Sequence, residues 1–425
     1  MILIAAFFVL GAVIGGQINH AIYRFAFFSN PPFSPWMKPH PEAGQRSIVD
    51  YIPIIGWCFL NREEKIHGSL FWLRPLLIEL VFGAVVAWLY YFHVETAGFV
   101  PAFADIPNQS ETTWCWFIAH VVLLTFLTIA TFVDFDEFMI PDQATIPGVL
   151  FCLTFAAFYP VVGLPDINEL KMTEPMTFAS PDAPPVVWYG TAGLVSAIAC
   201  LWFWCFALIP KVCTFRKGMA KFLPLMLASI FQTSRKRKGT IEIAPRRMYW
   251  GTPVLFVIAI LGAIAMILFW FLLATGPQKI SLLTSVFGMA FGMSMIWSIR
   301  IIGRMALGKE AMGFGDVTLM AMIGAYVGWQ ACLPVLALSA LVALIVSVPM
   351  AIIKSENTLP YGPYLSIGTV MVIFGWHSVW AGWLKNVFSL FGPHTIFLVL
   401  VIMTIPMFVL LVITRFVKER LIGIS

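Results

Sequence analysis

Residues 312–329 read MGFGDVTLMAMIGAYVGW, and they place a carboxylate, Asp316, at the start of an otherwise apolar run. Two glycines, Gly313 and Gly315, stand close before it. An ionisable side chain at membrane depth is costly, so it indicates a function unless the side chain only caps its helix. Asp316 is therefore either a functional carboxylate or the N-terminal cap of a helix, and the remainder of the sequence must separate the two.

The composition defines the surroundings of this run. The chain has 425 residues, a mean hydropathy of +0.89, and only 11% charged residues. Lipid must be the solvent for much of such a chain, because a soluble core could not enclose so many apolar side chains. The sequence predicts an all-α, polytopic transmembrane helical bundle with roughly 8 to 11 crossings, since about 20 apolar residues span a bilayer. The apolar runs lie near residues 1–23, 71–93, 114–134, 143–163, 187–210, 251–275, 281–301, 316–330, 332–353, 362–380 and 394–414.

The charges of the loops orient this bundle. Segment 211–250 carries ten Lys or Arg residues against one acid, Glu242, whereas loops 94–113 and 163–186 are mainly acidic. The positive-inside bias therefore predicts a cytoplasmic 211–250, with loop 24–70 and the C-terminal tail on the same side and the N-terminus outside. The first run is read as a retained anchor rather than a signal peptide, because no cationic residue precedes it.

A second group of carboxylates is predicted at the same face of the membrane. In VDFDEFMIPDQATIPG, residues 133–148, Asp134 and Asp136 stand where the third apolar run ends, and Pro141 marks the start of the next helix. Two carboxyl groups held close share a proton, so that one can deprotonate a water while the other donates to a carbonyl oxygen. Such a pair predicts aspartic proteolysis without a metal or a cofactor. Taken singly, each of these acids could instead be solvated at the membrane surface.

The glycines before Asp316 fit the same interpretation. Because Gly313 and Gly315 have no Cβ, we expect the backbone there to adopt conformations closed to other residues and to approach a neighbouring helix or a bound peptide.

Beyond these residue-level arguments, the sequence resembles a known family. GKEAMGFGDVTLMAMIGAYVGWQ, residues 308–330, closely resembles the second active-site segment of the bacterial type IV prepilin peptidases, membrane aspartic proteases of the GxGD type. VDFDEFMIPDQATIPG resembles the first segment, in which the catalytic aspartate stands seven residues before the proline of the IP pair. The resemblance implies that Asp134 rather than Asp136 is the first catalytic residue and Asp316 the second. Asp136 could tune the pKa of Asp134, or it could be solvated.

The resemblance extends to weaker motifs in the expected order. LGAVIGGQINHAIYR (10–24), LRPLLIELVFG (73–83) and LPYGPYLSIG (359–368) are similar to the opening helix, the return helix and the segment after the second aspartate. We therefore expect an N-terminal unit over 1–93 and a peptidase membrane domain over 114–425. Asp134 and Asp316 stand 182 residues apart, farther than in typical members. We assign the extra length to an insertion at about 163–280, which must add an even number of crossings.

The sequence departs from the family in its cysteines. Many members carry two CxxC pairs in the loop after the first helix, read as a zinc site, whereas that loop here offers only Cys58, with His40 and His67. These are too few to replace four thiolates, so we expect no zinc. Related bifunctional members also methylate the new N-terminus with S-adenosylmethionine. The altered loop argues against this second activity and the retained GGQINHAIYR favours it, so it stays open.

The resemblance also implies a substrate and a location. Family members cleave the short basic leader of prepilins and pseudopilins, the subunits of type IV pili and type II secretion systems, at the cytoplasmic edge of the membrane. We therefore expect a multi-pass protein of the bacterial inner membrane with its active site facing the cytoplasm. Its partners would be these substrate proteins and membrane lipid, with no nucleic acid.

Other functions are compatible with paired carboxylates. A polytopic ion-coupled transporter could use them as a cation relay, although the sequence shows no clear inverted repeat. A catalytically silent scaffold for pilus or secretion assembly, and a GxGD protease acting on signal peptides, are further alternatives.

Overall fold

The structure, a computed structural model, describes residues 1–25, 33–101, 105–167, 171–209, 252–307, 312–354, 360–390 and 392. Its helices are α1 (Ile2–Phe25), α2 (Ile55–Leu60), α3 (Glu64–His67), α4 (Leu73–Tyr90), α5 (Gln109–Glu137), α6 (Asp142–Phe158), α7 (Thr191–Leu208), α8 (Thr252–Leu268), α9 (Gly276–Leu307), α10 (Phe314–Val327), α11 (Trp329–Lys354), α12 (Gly362–Phe374) and α13 (Trp376–Val379). Single π-helical turns follow α4, α8 and α13, at Tyr91–Glu95, Phe269–Leu273 and Trp380–Leu384. Short 3-10 helices cover Ile48–Tyr51, Asn61–Glu63, Pro160–Val162 and Val186–Tyr189. Two antiparallel strands, β1 (Pro165–Ile167) and β2 (Thr173–Pro175), form a small hairpin in which Asp166 lies opposite Glu174.

The described helices confirm the predicted all-α, multi-pass membrane bundle. Seven helices are long and apolar enough to cross a bilayer, and an eighth crossing results if the pair Gly362–Phe374 and Trp376–Leu390, bent by 81°, forms one span. Two shorter apolar helices, α6 and α10, complete the bundle. The 14 residues of α10 rise only about 21 Å, less than the ~30 Å hydrocarbon layer, so at least one end of α10 lies inside it. The predicted basic segment 211–250 and the run 394–414 lie outside the described residues.

Helices α1 and α4 pack against each other through glycines. A Cβ on Gly11 would lie 2.7 Å from the Cβ of Val86, and one on Gly15 would lie 2.8 Å from the Cα of Glu79. Gly11 and Gly15 are four residues apart and therefore share one face of α1. Small residues at this spacing let two membrane helices approach closely enough for dispersion contacts along their backbones.

A second close pair consists of α9 and α10. A Cβ on Gly288 would collide with the carbonyl oxygen of Gly324, and a Cβ on Gly324 would collide with that of Gly288. One turn further along α9, a Cβ on Gly292 would lie 2.5 Å from the carbonyl oxygen of Met320. Helix α10 also contacts α5, α6, α11 and α12, and its residues from Asp316 to Val327 are all buried. The helix that carries Asp316 is thus the centre of the bundle.

The two ends of the bundle differ in what covers them. We call the end that carries residues 33–72 the loop end, and the end that carries β1 and β2 the hairpin end. At the hairpin end the Trp376 indole donates to the Pro165 carbonyl at 2.8 Å, and the Lys385 ammonium pairs with Asp166 at 2.7 Å. Helices α7 and α8 occupy the predicted insertion and contact each other. The predicted boundaries of the domains and of the insertion remain predictions.

Residues 33–72 form a folded cap at the loop end. Arg46 pairs with Glu63 at 3.1 Å, and Arg62 pairs with Asp50 at 2.6 Å. The cap is attached to the membrane helices by Glu79 of α4. Its carboxylate accepts the Ile54 N–H at 2.6 Å, the Trp57 indole N–H at 2.8 Å and the Asn19 amide at 3.3 Å. Asn19 and Glu79, which stand in the segments LGAVIGGQINHAIYR and LRPLLIELVFG, therefore form a buried hydrogen-bonded joint between the cap, α1 and α4.

Candidate active site

Asp134 lies in the last turn of α5, at the loop end, and is 5% exposed. Its Oδ2 accepts the backbone N–H of Gly362 at 2.9 Å. Gly362 is the first residue of α12, where backbone N–H groups have no partner within the helix and the helix dipole is positive. Asp134 therefore faces an amide that stabilises its carboxylate form, although the side chain is nearly removed from solvent.

Asp316 is the third residue of α10 and is also 5% exposed. The helix is capped by Gly313, whose N–H donates to the Asp316 carboxylate, as in the second half of a capping box. Asp316 thus stabilises the start of its helix from the third position, not from the N-cap itself. Helix capping explains Asp316 alone and does not account for the buried Asp134 nearby. Asp134 and Asp316 lie close enough for their charges to interact, and Arg300 is also within electrostatic range of Asp316.

The two glycines of the GxGD motif differ in their surroundings. A Cβ on Gly315 would lie 2.8 Å from the Cβ of Ile140, whereas a Cβ on Gly313 would make only an ordinary contact, 3.4 Å from Asp316 Oδ2. Gly313 has φ −67°, and Gly315 lies within the α-helix, so neither uses a backbone conformation reserved for glycine. The expectation of unusual backbone conformations is wrong, and that of close approach holds at Gly315.

The Ile140–Pro141 pair connects the two aspartate segments. Pro141 is the N-cap of α6, which begins at Asp142, so the predicted start of this helix is confirmed. The Ile140 side chain lies against both Gly315 of α10 and Gly362 of α12, where added Cβ atoms would come within 2.8 and 2.9 Å of it. Ile140 therefore fixes the distance between the helices that hold the two carboxyl groups, a role that sequence reasoning missed.

Asp136 points away from this pair. Its two carboxylate oxygens accept hydrogen bonds from the Arg74 guanidinium at 2.9 and 2.8 Å, and both side chains are partly exposed. Arg74 also lies over the Phe132 ring, 5.0 Å from its centroid. The structure thus gives Asp136 a cationic partner outside the pair, and its predicted influence on the pKa of Asp134 remains a prediction.

Further residues around the pair come from α11 and α12. The Tyr361 hydroxyl and the Ser339 hydroxyl share a hydrogen bond of 2.9 Å, which ties the start of α12 to α11. The Ser366 hydroxyl, one turn after Gly362, accepts a hydrogen bond from Thr131 at 2.9 Å. Sequence reasoning assigned none of these residues, although Tyr361, Gly362 and Ser366 all stand in the LPYGPYLSIG segment quoted for the resemblance.

The thiols and imidazoles of the cap do not fit a zinc site. Cys58 is exposed, and His67 pairs with Glu63 at 3.2 Å. Across the part of the chain that the structure describes, no group of three or more His, Cys, Asp or Glu side chains could hold a metal ion. Two acids of the cap, Glu63 and Asp50, are instead bonded to Arg46 and Arg62.

Paired carboxyl groups in a largely dehydrated setting cannot both ionise cheaply, because each charge disfavours the other. One proton shared between them leaves one group able to accept a proton and the other able to donate one. The fold and the site together define a multi-pass, all-helical membrane protein with a buried pair of carboxyl groups at one end of its bundle.

Comparison with known proteins finds similarity to one family. Residues 248–348, which include Gly313, Gly315 and Asp316 but not Asp134, match the type IV leader peptidase family. The chain is 38% identical over 99 residues to the prepilin leader peptidase/N-methyltransferase of Pseudomonas aeruginosa, a stretch that covers 22% of this chain and 34% of that protein. It is 34% identical over 110 residues to the protein of the same name from Aeromonas hydrophila, covering 25% of this chain and 38% of the relative. Through this region the chain is similar to the type IV leader peptidase family.

The comparisons are limited in extent. The chain spans about a third of the length of the curated relatives that it matches, including one from Xanthomonas campestris that is 32% identical over 112 residues. No solved structure matches the chain.

Proposed function

We propose that this protein is a membrane aspartic endopeptidase that cleaves the leader peptide of prepilin-like proteins, pilins or pseudopilins, at the cytoplasmic face of the bacterial inner membrane. The observation that carries the proposal is the pair Asp134 and Asp316, which stand 182 residues apart in the sequence and are both buried at one end of the bundle, within range for their charges to interact. The similarity to the type IV leader peptidase family and the names of the relatives support leader-peptide cleavage as the reaction.

The proposed mechanism uses only the two carboxyl groups and a water. The ionised member removes a proton from the water while the protonated member donates its proton to the oxygen of the scissile carbonyl, and the new C–O bond gives a tetrahedral diol. Collapse of the diol breaks the C–N bond as the amine takes up a proton from the carboxylic acid and one diol hydroxyl gives its proton to the carboxylate. The products are a carboxylic acid and a free amine, and the carboxyl pair again holds a single proton.

The assignment to the cytoplasmic face rests on charge. Among the described residues, the loop end carries the cations Arg24, Lys38, Arg46, Arg62, Lys65, Arg74, Arg300 and Arg304, whereas the hairpin end carries Lys171, Lys279 and Lys385 together with the acids Glu95, Asp105, Glu111, Asp166 and Glu174. The positive-inside bias then assigns the loop end, with both aspartates, to the cytoplasm. A leader rich in Lys or Arg is retained on that side by the same bias, so its cleavage bond lies at the depth of the aspartates.

The test is cleavage of a co-expressed prepilin by the intact protein and by Asp134→Asn and Asp316→Asn. Each substitution removes the proton-transfer group while keeping the shape of the side chain, so we expect cleavage to fall to background in both. Asp136→Asn is the matched control, because Asp136 lies two residues from Asp134 but is bonded to Arg74. Cleavage that survives in either catalytic variant, at normal membrane expression, would refute the proposed pair. Ion-dependent flux without cleavage by the intact protein would favour the transporter.

Methyl transfer is a separate question, since the relatives' names include it. S-adenosylmethionine would supply the methyl group when bound. Within the cap, Arg46 is bonded to Glu63 and Arg62 to Asp50, so these four charged side chains are engaged with one another. We therefore propose no residue for methyl transfer. The mass of the new substrate N-terminus, with and without added S-adenosylmethionine, decides whether the reaction occurs.

A further inference from the structure

A long apolar groove runs along the outside of the bundle and ends beside the candidate active site. It encloses about 690 Å³ and is lined by Leu70, by α4 from Leu73 to Trp88, by α5 from Leu124 to Phe132, and by α12 at Val370 and Phe374. Large apolar side chains stand open in it: Val81 is 59% exposed and Leu77 49% exposed. Nothing in the fold described above requires these three helices to leave such a gap.

The groove is related to the aspartates through the surface of α5. Leu124, Thr128 and Phe132 follow at intervals of four residues and form its floor, and Asp136 continues the same stripe to its end. The neighbouring stripe of α5 carries Asp134, which faces Gly362. Because Phe132 and Asp134 differ by only about 3 Å along the helix axis, the groove leads to the level of the carboxyl pair.

The wall of the groove that α12 forms also leads to the candidate site. Gly362, Ser366, Val370 and Phe374 also follow at intervals of four residues and share one face of this helix. The stripe begins at the amide that donates to Asp134 and continues into the groove at Val370 and Phe374. The groove and the candidate site are therefore two parts of one surface, separated by about two turns of α12.

The polarity of the groove changes once along its length. Arg74, paired with Asp136, lies at the loop end, and from there the lining is apolar except for Thr128, whose hydroxyl is bonded to the Leu124 carbonyl. Along α4 the part from Leu73 to Trp88 rises about 22 Å, which covers most of the ~30 Å hydrocarbon layer. A matching occupant is apolar over about four helical turns and becomes polar at the level of the aspartates.

We propose that this groove binds the apolar helical segment that follows the cleaved bond in the membrane-anchored substrate. The inference rests on the proposed function, which supplies a substrate with a polar leader on one side of the scissile bond and an apolar segment in lipid on the other. Inside a bilayer, helices associate by dispersion contacts rather than by the hydrophobic effect, so a groove of complementary width is what such a segment needs. Docking there would deliver the bond to Asp134 and Asp316 at the boundary that Arg74 and Asp136 mark.

The first experiment fills the groove and compares two substrates. Leu77→Trp and Val81→Trp place an indole in the groove, away from the carboxyl pair. Ile260→Trp and Ile264→Trp are the matched controls, because these residues are 56% and 47% exposed on α8, which packs on α7. Each variant is assayed on a full-length membrane-inserted prepilin and on a synthetic peptide that spans the cleavage site but lacks the apolar helix.

We expect the groove variants to raise the KM for the full-length substrate at least tenfold while leaving cleavage of the short peptide unchanged. The α8 variants should cleave both substrates as the parent does. Full-length cleavage at the parental rate in both groove variants would overturn the proposal and leave lipid as the occupant. Equal losses on both substrates would also overturn it, since the change would then act on the carboxyl pair. If the parent cleaves neither substrate, the proposed function itself fails.

A second measurement does not depend on turnover. A photoreactive benzoylphenylalanine at Leu77, in an Asp316→Asn background that retains the substrate, should crosslink to the apolar segment of the prepilin, and the same probe at Ile260 should not. Crosslinks from Leu77 only to a second copy of this chain or to lipid, with none to prepilin, would reject the groove as a substrate site.

Discussion

At the scale of single residues, Gly362 is the position where the candidate site has least room. Its N–H donates to Asp134, and a Cβ there would lie 2.7 Å from Asp134 Oδ2 and 2.9 Å from the Ile140 side chain. An added methyl group must displace either the carboxylate or Ile140, and Ile140 is itself held against Gly315. The absence of a side chain at Gly362 thus sets how closely α12 approaches Asp134 on α5.

We therefore expect Gly362→Ala to lower the kcat for prepilin cleavage by roughly 100-fold, the cost of a displacement of about 1 Å at a catalytic group. Gly382→Ala is the control, because nothing lies within 4 Å of a Cβ at that position. Both are measured on purified protein of equal thermal stability. Full activity of Gly362→Ala would mean that the Asp134 contact is not needed for catalysis.

At the scale of single residues, the sequence indicated which residues belong to the candidate site better than it indicated the contacts that they make there. Asp134, Asp316 and Pro141 could be picked from their order and spacing, and the structure brings Asp134 and Asp316 together. The contacts of Ile140 and Gly362 could not be predicted, because they join α6, α10 and α12, and no spacing in the sequence reports which helices touch. Asp136 shows the same limit, since its partner Arg74 is 62 residues away.

At the scale of elements, the contact between α9 and α10 is made by backbone against backbone. The carbonyl oxygens of Gly288 and Gly324 occupy the space that a Cβ on the opposite glycine would need. Overpacking of this kind cannot be relieved by a rotamer change, because the atoms in the way belong to the backbone. The position of Asp316 therefore depends on a glycine eight residues further along its own helix.

We expect Gly324→Ala to destabilise the protein by about 1–3 kcal/mol and to reduce cleavage, since α10 must move away from α9. Gly276→Ala is the matched control at the start of α9, where a Cβ would make only an ordinary 3.4 Å contact with the Tyr189 ring. Thermal unfolding in detergent and the cleavage assay provide the two readouts. Unchanged stability in Gly324→Ala would show that the two helices can separate at no cost.

The cap over residues 33–72 should respond to acid. Hydrogen bonds from Arg62, together with the Ser47 N–H, hold the pKa of Asp50 below its ordinary value of 3.8. A lowered pKa in the folded state means that this carboxylate stabilises the cap above about pH 3.8, and that the contribution is lost as pH falls through the folded pKa. We expect hydrogen exchange at the Ser47 amide to accelerate, relative to its intrinsic rate, over that acidic range.

Asp50→Asn should exchange faster at neutral pH and lose this acid-dependent step. If the variant retained the same step, another group would be responsible for it.

Elements were predicted well where an apolar run was long, as at α1, α4 and α5. The run near 362–380 was read as one crossing, and the structure divides it into α12 and α13 with a bend of 81°. The break follows Phe374, at Gly375. Hydropathy could not reveal it, because both halves are apolar. The cap was also beyond prediction, since its folding depends on the Arg46 and Arg62 ion pairs.

At the scale of the whole molecule, the orientation in the membrane can be measured with Cys58, one of the chain's seven cysteines. Cys58 is exposed in the cap, and Ser110 is exposed at the opposite end, in the first turn of α5. With the loop end in the cytoplasm, a membrane-impermeant maleimide should label Ser110→Cys in intact cells and Cys58 only after lysis. Cys58→Ser removes the second signal. Labelling of Cys58 in intact cells would invert the proposed topology.

The overall class, an all-helical multi-pass bundle, followed from hydropathy alone. The contacts that assemble the candidate site did not follow from hydropathy. Asp134, Asp316 and Gly362 come from three distant parts of the sequence and meet only in the folded bundle. The family match over 248–348 contains one of these three.

Because the site residues lie in three distant parts of the sequence, the site is completed late in biosynthesis. Membrane chains emerge from the ribosome in order, and Gly362, which bonds to Asp134, is made only after helices α1 to α11 have been synthesised. A nascent or prematurely terminated chain that lacks α12 would hold both aspartates and yet no finished site. Proteolytic competence would thus arrive late in translation, and a truncated product would be harmless to neighbouring membrane proteins.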